Sequence, residues 1–141
     1  MNAKQYLRRI RFLDKTISAK LEQIEILHAQ ATKITAVLSN TPKAESPEEQ
    51  DKLAATVAKI VDLKKTLREE LEEYISLKAE AIRLINSLPD SRHRLVLMHR
   101  YINGHTWEQI AACMHYTCQW VHCLHGKALQ EFEKVMERDK N

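Results

Sequence analysis

Residues 106–125 read TWEQIAACMHYTCQWVHCLH, and this stretch decides the fold of the C-terminal part of the chain. Its apolar side chains recur every three or four positions in two runs, which are interrupted by MHYT at residues 114–117. Such spacing is typical of amphipathic helices, and so short an interruption predicts a tight turn between two of them. Ala111 provides the small side chain that two crossing helices need. The stretch therefore predicts a helix-turn-helix.

Polar residues mark the start of each of these two helices. Thr106 followed by Gln109 matches the capping box, in which two side chains satisfy backbone groups at a helix start. Thr117 is the expected N-cap of the second helix, which the pattern extends to about residue 136. His115 lies where such turns often have glycine, and histidine tolerates the left-handed conformation better than most residues.

Pro89 separates this compact unit from the preceding part of the chain, because proline ends a helical pattern. A short helix is expected over about residues 90–102, and Gly104 can adopt the left-handed conformation that closes helices. We therefore predict two domains, a helical one over residues 1–87 and a helix-turn-helix domain over residues 88–141.

The N-terminal domain is predicted to be a pair of long helices. Segments 3–39 and 53–88 carry apolar residues at heptad spacing, which is typical of coiled-coil-like helices. Between them, Ser46, Pro47 and Glu49 form a strong helix start with a capping box. The short loop predicts an antiparallel hairpin. The expected fold class is all-α, with this long hairpin followed by a small C-terminal helix-turn-helix domain.

A two-helix hairpin buries only one stripe per helix, and exposed apolar seams are a liability. We therefore expect the hairpin to form a homodimer or a higher homo-oligomer, or to bind another protein. A solvated helical spacer without a partner is the alternative.

The outward face of the second helix of the motif is the predicted DNA-reading surface. Gln119 is the best candidate for bidentate recognition of an adenine edge in double-stranded DNA. The hydroxyl of Thr117 and the N–H groups at the helix start suit a phosphate oxygen, and Arg100 can contact the backbone as well. The alternative is a packing module whose polar face is simply solvated. The outward positions are Cys118, Gln119, Trp120, His122, Cys123, His125 and Lys127.

Basic residues near the N-terminus offer a second possible phosphate contact. Lys4, Arg8, Arg9 and Arg11 form a cluster that could reach a DNA backbone. A solvated helix end is the interpretation that the sequence favours.

The composition excludes several classes of protein. The net charge of +3 permits nucleic-acid binding without requiring it. Three cysteines without a secretion signal predict reduced thiols and a cytoplasmic protein. No apolar run approaches the ~18 residues of a membrane span. We expect no enzymatic activity and no cofactor, because phosphate-binding loops, nucleophile elbows and placeable carboxylate pairs are all lacking.

The histidines and cysteines of the motif raise the alternative of a zinc site. Cys118, His122 and His125 follow one another at helical spacing, but the third lies ~10 Å along the axis from the first. That distance is too long for one zinc ion, so no metal is expected. Cys113 is expected to be partly buried. If His122 and His125 face DNA, their protonation near pH 6 strengthens binding and its salt dependence.

Two segments of the C-terminal domain resemble a known family. SLPDSRHRLVLMHRYINGHTWEQIA at residues 87–111 and VHCLHGKAL at residues 121–129 resemble region four of sigma-70-type factors. They are still more similar to phage-encoded late-gene activators of the ArpU and RinA kind. The resemblance implies a scaffold helix over 107–114 and a recognition helix over 118–129. It also implies DNA contacts from Thr117, Gln119, His122 and Cys123, although the family usually has arginine at positions 119 and 123.

The predicted function is therefore sequence-specific regulation of transcription, in a protein of phage or prophage origin. One alternative is a DNA-packaging subunit of the small-terminase kind, which also joins a helix-turn-helix to oligomerising helices. Another is an interaction module that docks on RNA polymerase and has no DNA site of its own.

Overall fold

The computed structural model describes residues 2–40 and 47–141. Across these two ranges the chain contains no β-strand, so the predicted all-α class is confirmed. No helix of the described chain is both long and apolar enough to span a membrane. The helices are α1 (Ala3–Asn40), α2 (Pro47–Asn86), α3 (Ser91–Leu97), α4 (Trp107–Met114) and α5 (Cys118–Lys140), with a π-helical turn over Met98–Ile102.

Three of the predicted helix ends can be compared with the structure. Helix α2 begins at Pro47, as predicted, while the proposed N-cap Ser46 lies outside the described residues. Helix α2 ends at Asn86, three residues before Pro89. Asp90 then caps α3 by accepting a 2.8 Å hydrogen bond from the N–H of Arg92.

The predicted helix over 90–102 is divided into α3 and the π-helical turn. Within the turn, the N–H of Asn103 donates to the carbonyl of Met98, five residues earlier. The carbonyl of Arg100, in the same turn, accepts a 3.0 Å hydrogen bond from the guanidinium of Arg11. Sequence periodicity does not distinguish a π-helical turn from an α-helix, so this division was not predicted.

Packing divides the chain into two compact units. Residues 2–14 and 73–141 form what we call the helix-turn-helix unit, and residues 15–40 and 47–72 form the hairpin unit. The domain boundary after residue 87 stays a prediction. By packing, the first turns of α1 and the last turns of α2 belong with the C-terminal helices, because they share one hydrophobic core.

The core of the helix-turn-helix unit draws side chains from all five helices. Burying each large apolar side chain contributes roughly 1.5–3 kcal/mol to the stability of the fold. The most completely buried large residues are Leu7, Ile10, Leu13, Ile85, Leu88, Val96, Leu97, Ile110, Val121, Leu124 and Phe132.

The hairpin unit contains the predicted antiparallel pair, which is confirmed by the register of its contacts. Lys20 of α1 forms an ion pair with Glu70 of α2. Farther along α1, Ile26 shares a groove with Leu63, an earlier position in α2. The register therefore runs in opposite directions along the two helices.

Candidate nucleic-acid interface

The start of α4 is fixed by the capping box that the sequence predicts. The N–H of Gln109 donates to the hydroxyl oxygen of Thr106 at 3.2 Å, and the N–H of Thr106 donates to Oε1 of Gln109 at 2.9 Å. These two bonds satisfy backbone groups that an isolated helix end leaves without partners. Helix α4 therefore begins at a defined residue and presents buried Ile110 and Ala111 to the core.

The turn between α4 and α5 is a Schellman motif followed by an N-cap. The N–H of Tyr116 donates to the carbonyl of Ala111 at 3.0 Å, and the N–H of His115 donates to the carbonyl of Ala112 at 3.4 Å. His115 has φ of 59°, so the predicted left-handed conformation is confirmed. Thr117 comes next and caps α5, accepting a 3.1 Å hydrogen bond from the N–H of Trp120.

Helix α5 has one apolar and one polar face along its first three turns. Val121, Leu124 and Ala128 are buried in the core. The side chain of Gln119 has no hydrogen-bond partner in the part of the chain that is described. Seven of the predicted site residues are exposed at the surface. These seven are Thr117, Cys118, Gln119, Trp120, His122, Cys123 and Lys127, which we call the reading face.

His125 does not belong to the outward face, and that prediction is wrong. Its side chain is only 8% exposed, and its Nε2 lies 2.6 Å from the hydroxyl of Tyr101. Four residues after Val121 and three before Ala128, His125 lies on the core side of α5. Burial is the largest of the effects that lower its pKa to about 4, so His125 stays neutral near pH 6. Of the two histidines in the predicted pH response, only His122 faces solvent.

The zinc alternative finds no ligand set among the residues described. The burial of His125 removes it from the face of α5 that carries Cys118 and His122. Across residues 2–40 and 47–141, no group of three or more His, Cys, Asp or Glu side chains could hold a metal ion. Cys113 was predicted to be partly buried, but it is exposed at the end of α4.

Arg100, the eighth predicted contact, is held by neighbouring residues. Its guanidinium lies 4.1 Å from the ring centroid of Trp107, and Nη1 donates to the carbonyl of His105 at 3.1 Å. Burial, and then the charge of Arg11, lowers the pKa of Arg100. Its half-buried side chain therefore braces the start of α4 and contributes positive charge there.

Aromatic contacts brace both sides of the reading face. The Trp107 ring lies 4.4 Å from the ring of His122, which links the start of α4 to α5. On the other side, Nζ of Lys127 lies 5.5 Å from the ring centroid of Trp120, whose ring meets Tyr116 edge-on. Sequence reasoning missed Trp107; an aromatic residue directly after the N-cap of the first motif helix was the only signal.

No protein-family model matches the chain, no curated protein matches its sequence, and no solved structure matches it.

Proposed function

We propose that this protein binds a specific site in double-stranded DNA, with α5 in the major groove, and regulates transcription. The observation that carries the proposal is the arrangement of α4, the turn and α5. Their apolar sides are buried, while α5 keeps a polar face exposed. This is the geometry by which a recognition helix enters a groove.

The charge and shape of α5 support the same proposal. From residue 118 to residue 130 the chain has no Asp or Glu, so no carboxylate of α5 opposes DNA phosphates there. Gly126 is exposed, and a Cβ added to it would meet nothing within 4 Å. Glycine inside a helix costs about 1 kcal/mol relative to alanine. A close approach of a groove wall to the backbone at this position would offset that cost.

We further propose that the protein acts in the cytoplasm of a bacterial cell as a phage or prophage regulator, as the resemblance to late-gene activators implies. Self-association through the hairpin unit fits this role, because a dimer carries two recognition helices and favours a two-part site. Exposed apolar side chains on both helices of the hairpin unit support the self-association, among them Leu21, Ile26, Val57 and Val61.

The test is fluorescence-anisotropy binding of the full chain to two kinds of duplex across a salt series. One is a random-sequence duplex, and the other is selected from a random library by repeated binding to the protein. We expect the selected duplex to bind several hundred-fold more tightly, and salt to weaken both complexes. Failure to bind either duplex at low salt would remove the proposal.

Gln119→Ala then tests the recognition helix itself. Loss of a bidentate contact to adenine is worth about 1–3 kcal/mol of discrimination, so preference for one base pair falls roughly 5- to 150-fold. Binding to the random duplex stays unchanged, because this contact carries no general affinity. Gln50→Ala, at an exposed position of α2, is the matched control and leaves both values unchanged. An equal response of the two variants would contradict the assignment of Gln119.

A further inference from the structure

We propose that the N-terminal end of α1 is a second phosphate-binding element for the same DNA duplex, with Lys4 and Arg8 contacting the backbone beside the start of α4. The inference rests on the proposed function, because it requires that the reading face meets double-stranded DNA. It reverses the interpretation that the sequence alone favours, in which the basic cluster is a solvated helix end.

The first turns of α1 are fixed against α5. The N–H of Ala3 donates to Oε2 of Glu133 at 2.6 Å. One turn later, the Tyr6 ring packs against the Phe132 ring, with centroids 6.1 Å apart. This end of α1 is therefore part of the folded unit that carries the reading face.

The third turn of α1 is fixed against the segment that leads into α4. Nη1 of Arg11 donates to the carbonyl of Arg100 at 3.0 Å and to the carbonyl of His105 at 3.4 Å. His105 immediately precedes Thr106, the N-cap of α4. Arg11 thus marks the side of α1 that approaches the start of the motif.

Lys4 and Arg8 lie on the same side of α1 as Arg11. They precede it by seven and three residues, and these are the spacings at which side chains share one face of a helix. Both side chains are exposed. Two long, cationic side chains therefore lie along α1 between Ala3, which is bonded to α5, and Arg11, which is bonded to the segment that precedes α4.

The other members of the basic cluster are used inside the unit. Arg9 forms two hydrogen bonds with the carboxylate of Glu73, at 3.1 and 2.9 Å. The guanidinium of Arg11 donates hydrogen bonds to the backbone carbonyls of Arg100 and His105. Neither Lys4 nor Arg8 has an ion-pair or hydrogen-bond partner among the residues described. The structure thus separates the four cations into two that hold the fold and two that remain for a ligand.

Electrostatic effects on buried groups agree with this placement. After burial, the charge of Lys4 is the largest contribution that lowers the pKa of His125, and Arg8 also contributes. The charge of Arg8 also contributes, after burial and Arg11, to lowering the pKa of Arg100. Both cations therefore lie near His125, and Arg8 also lies near Arg100; these two groups contact the Trp107 ring at the start of α4.

The partner that fits is the sugar-phosphate backbone of the duplex that α5 enters. A recognition helix in the major groove brings the flanking parts of its domain against the backbone at the groove's edges. Lysine and arginine at such an edge bind phosphate without reading sequence. Lys127 supplies a further exposed cation on α5, beside Trp120.

The test is the salt dependence of DNA binding by the full-length double variant Lys4→Gln/Arg8→Gln. Loss of two phosphate contacts makes the negative slope of log K against log salt less steep by about 1.8, which is a loss of roughly 60-fold in affinity at 0.1 M salt. The loss is equal for the selected and the random duplex. Lys59→Gln/Arg68→Gln removes the same charge from exposed positions of α2 and serves as the matched control, with the wild-type slope.

A second variant separates charge from fold. Lys4→Arg/Arg8→Lys keeps both cations and restores the wild-type slope, and thermal unfolding verifies that all variants are folded. If the salt dependence of DNA binding by Lys4→Gln/Arg8→Gln has the wild-type slope, as in the control, the inference is overturned while the proposed function stands. Absence of DNA binding by the wild-type chain overturns the proposed function itself.

Discussion

The helix-turn-helix unit and the hairpin unit use the same two long helices, yet they bury apolar side chains very differently. In the helix-turn-helix unit, Leu7 and Ile10 of α1 and Ile85 of α2 are fully buried. Among the described residues of the hairpin unit, only three apolar ones are buried, although the heptad pattern continues through it. These three are Ile17, Ile24 and Ile60.

The difference shows that a heptad pattern predicts helices but not how much of their surface is covered. In the helix-turn-helix unit, buried residues of α3, α4 and α5 join those of α1 and α2 in one hydrophobic core. In the hairpin unit each helix has one neighbour, which covers one stripe. Stability should therefore be concentrated in the helix-turn-helix unit, and association in the hairpin unit.

The largest effect is expected from Phe132→Ala, in the core of the helix-turn-helix unit. Phe132 is fully buried and contacts Tyr6, so its truncation leaves a cavity where α1 meets α5. Such substitutions cost about 3–5 kcal/mol. We expect that loss in the free energy of unfolding, measured by urea denaturation.

Ile26→Ala in the hairpin unit is the matched control, because Ile26 is 52% exposed. At low protein concentration, where association is negligible, this truncation is expected to cost no more than about 0.5 kcal/mol. Similar losses for the two variants would mean that the units do not differ in how they contribute to stability.

The second effect is a loss of stability in acid that originates at His125. Its pKa is about 4 in the folded chain, against an ordinary value of 6.5, so the unfolded chain binds more protons between these values. The contribution is fully present above pH 6.5 and is lost as the pH falls towards 4. It amounts to about 3 kcal/mol. Urea denaturation across this pH range measures it.

The double variant Tyr101→Phe/His125→Phe isolates this contribution. It removes the titrating group together with its hydrogen-bond partner, so no buried polar atom is left without a partner. Its free energy of unfolding should fall about 3 kcal/mol less than that of the wild type between pH 6.5 and pH 4. Parallel pH profiles would show that His125 is not the source.

Local signals account for the part of the fold that could be predicted from sequence. The capping box at Thr106, the left-handed His115 and the N-cap at Thr117 each depend on residues at most a few positions apart. The two long helices follow from a repeat that is visible along the chain. Features of this kind need no knowledge of which helices meet.

The site was harder to predict, because its details depend on contacts distant in sequence. Buried His125 is hydrogen-bonded to Tyr101, twenty-four residues earlier, and contacts the Trp107 ring. Arg100 is braced by Trp107, and the N-terminal end of α1 reaches α5 across 130 residues at the bond between Ala3 and Glu133. A periodic pattern places residues on a face, but only the tertiary contacts decide which faces are covered.

The smallest effect is expected in the hairpin unit, where it concerns association and not stability. Val57 and Val61 are one turn apart on α2 and are 46% and 59% exposed. If a second copy covers them, Val57→Ser/Val61→Ser removes apolar area from that contact. A loss of about 1.4 kcal/mol raises the dissociation constant tenfold, and we expect at least that change by sedimentation equilibrium.

Leu95→Ser is the matched control for this effect, since Leu95 is 49% exposed but belongs to α3. It should leave the dissociation constant at the wild-type value. A wild-type chain that is monomeric at high concentration would contradict self-association through the hairpin unit. An equal rise in the dissociation constant of both variants would mean that exposed apolar residues of both units take part in association. The two units would then differ in stability alone.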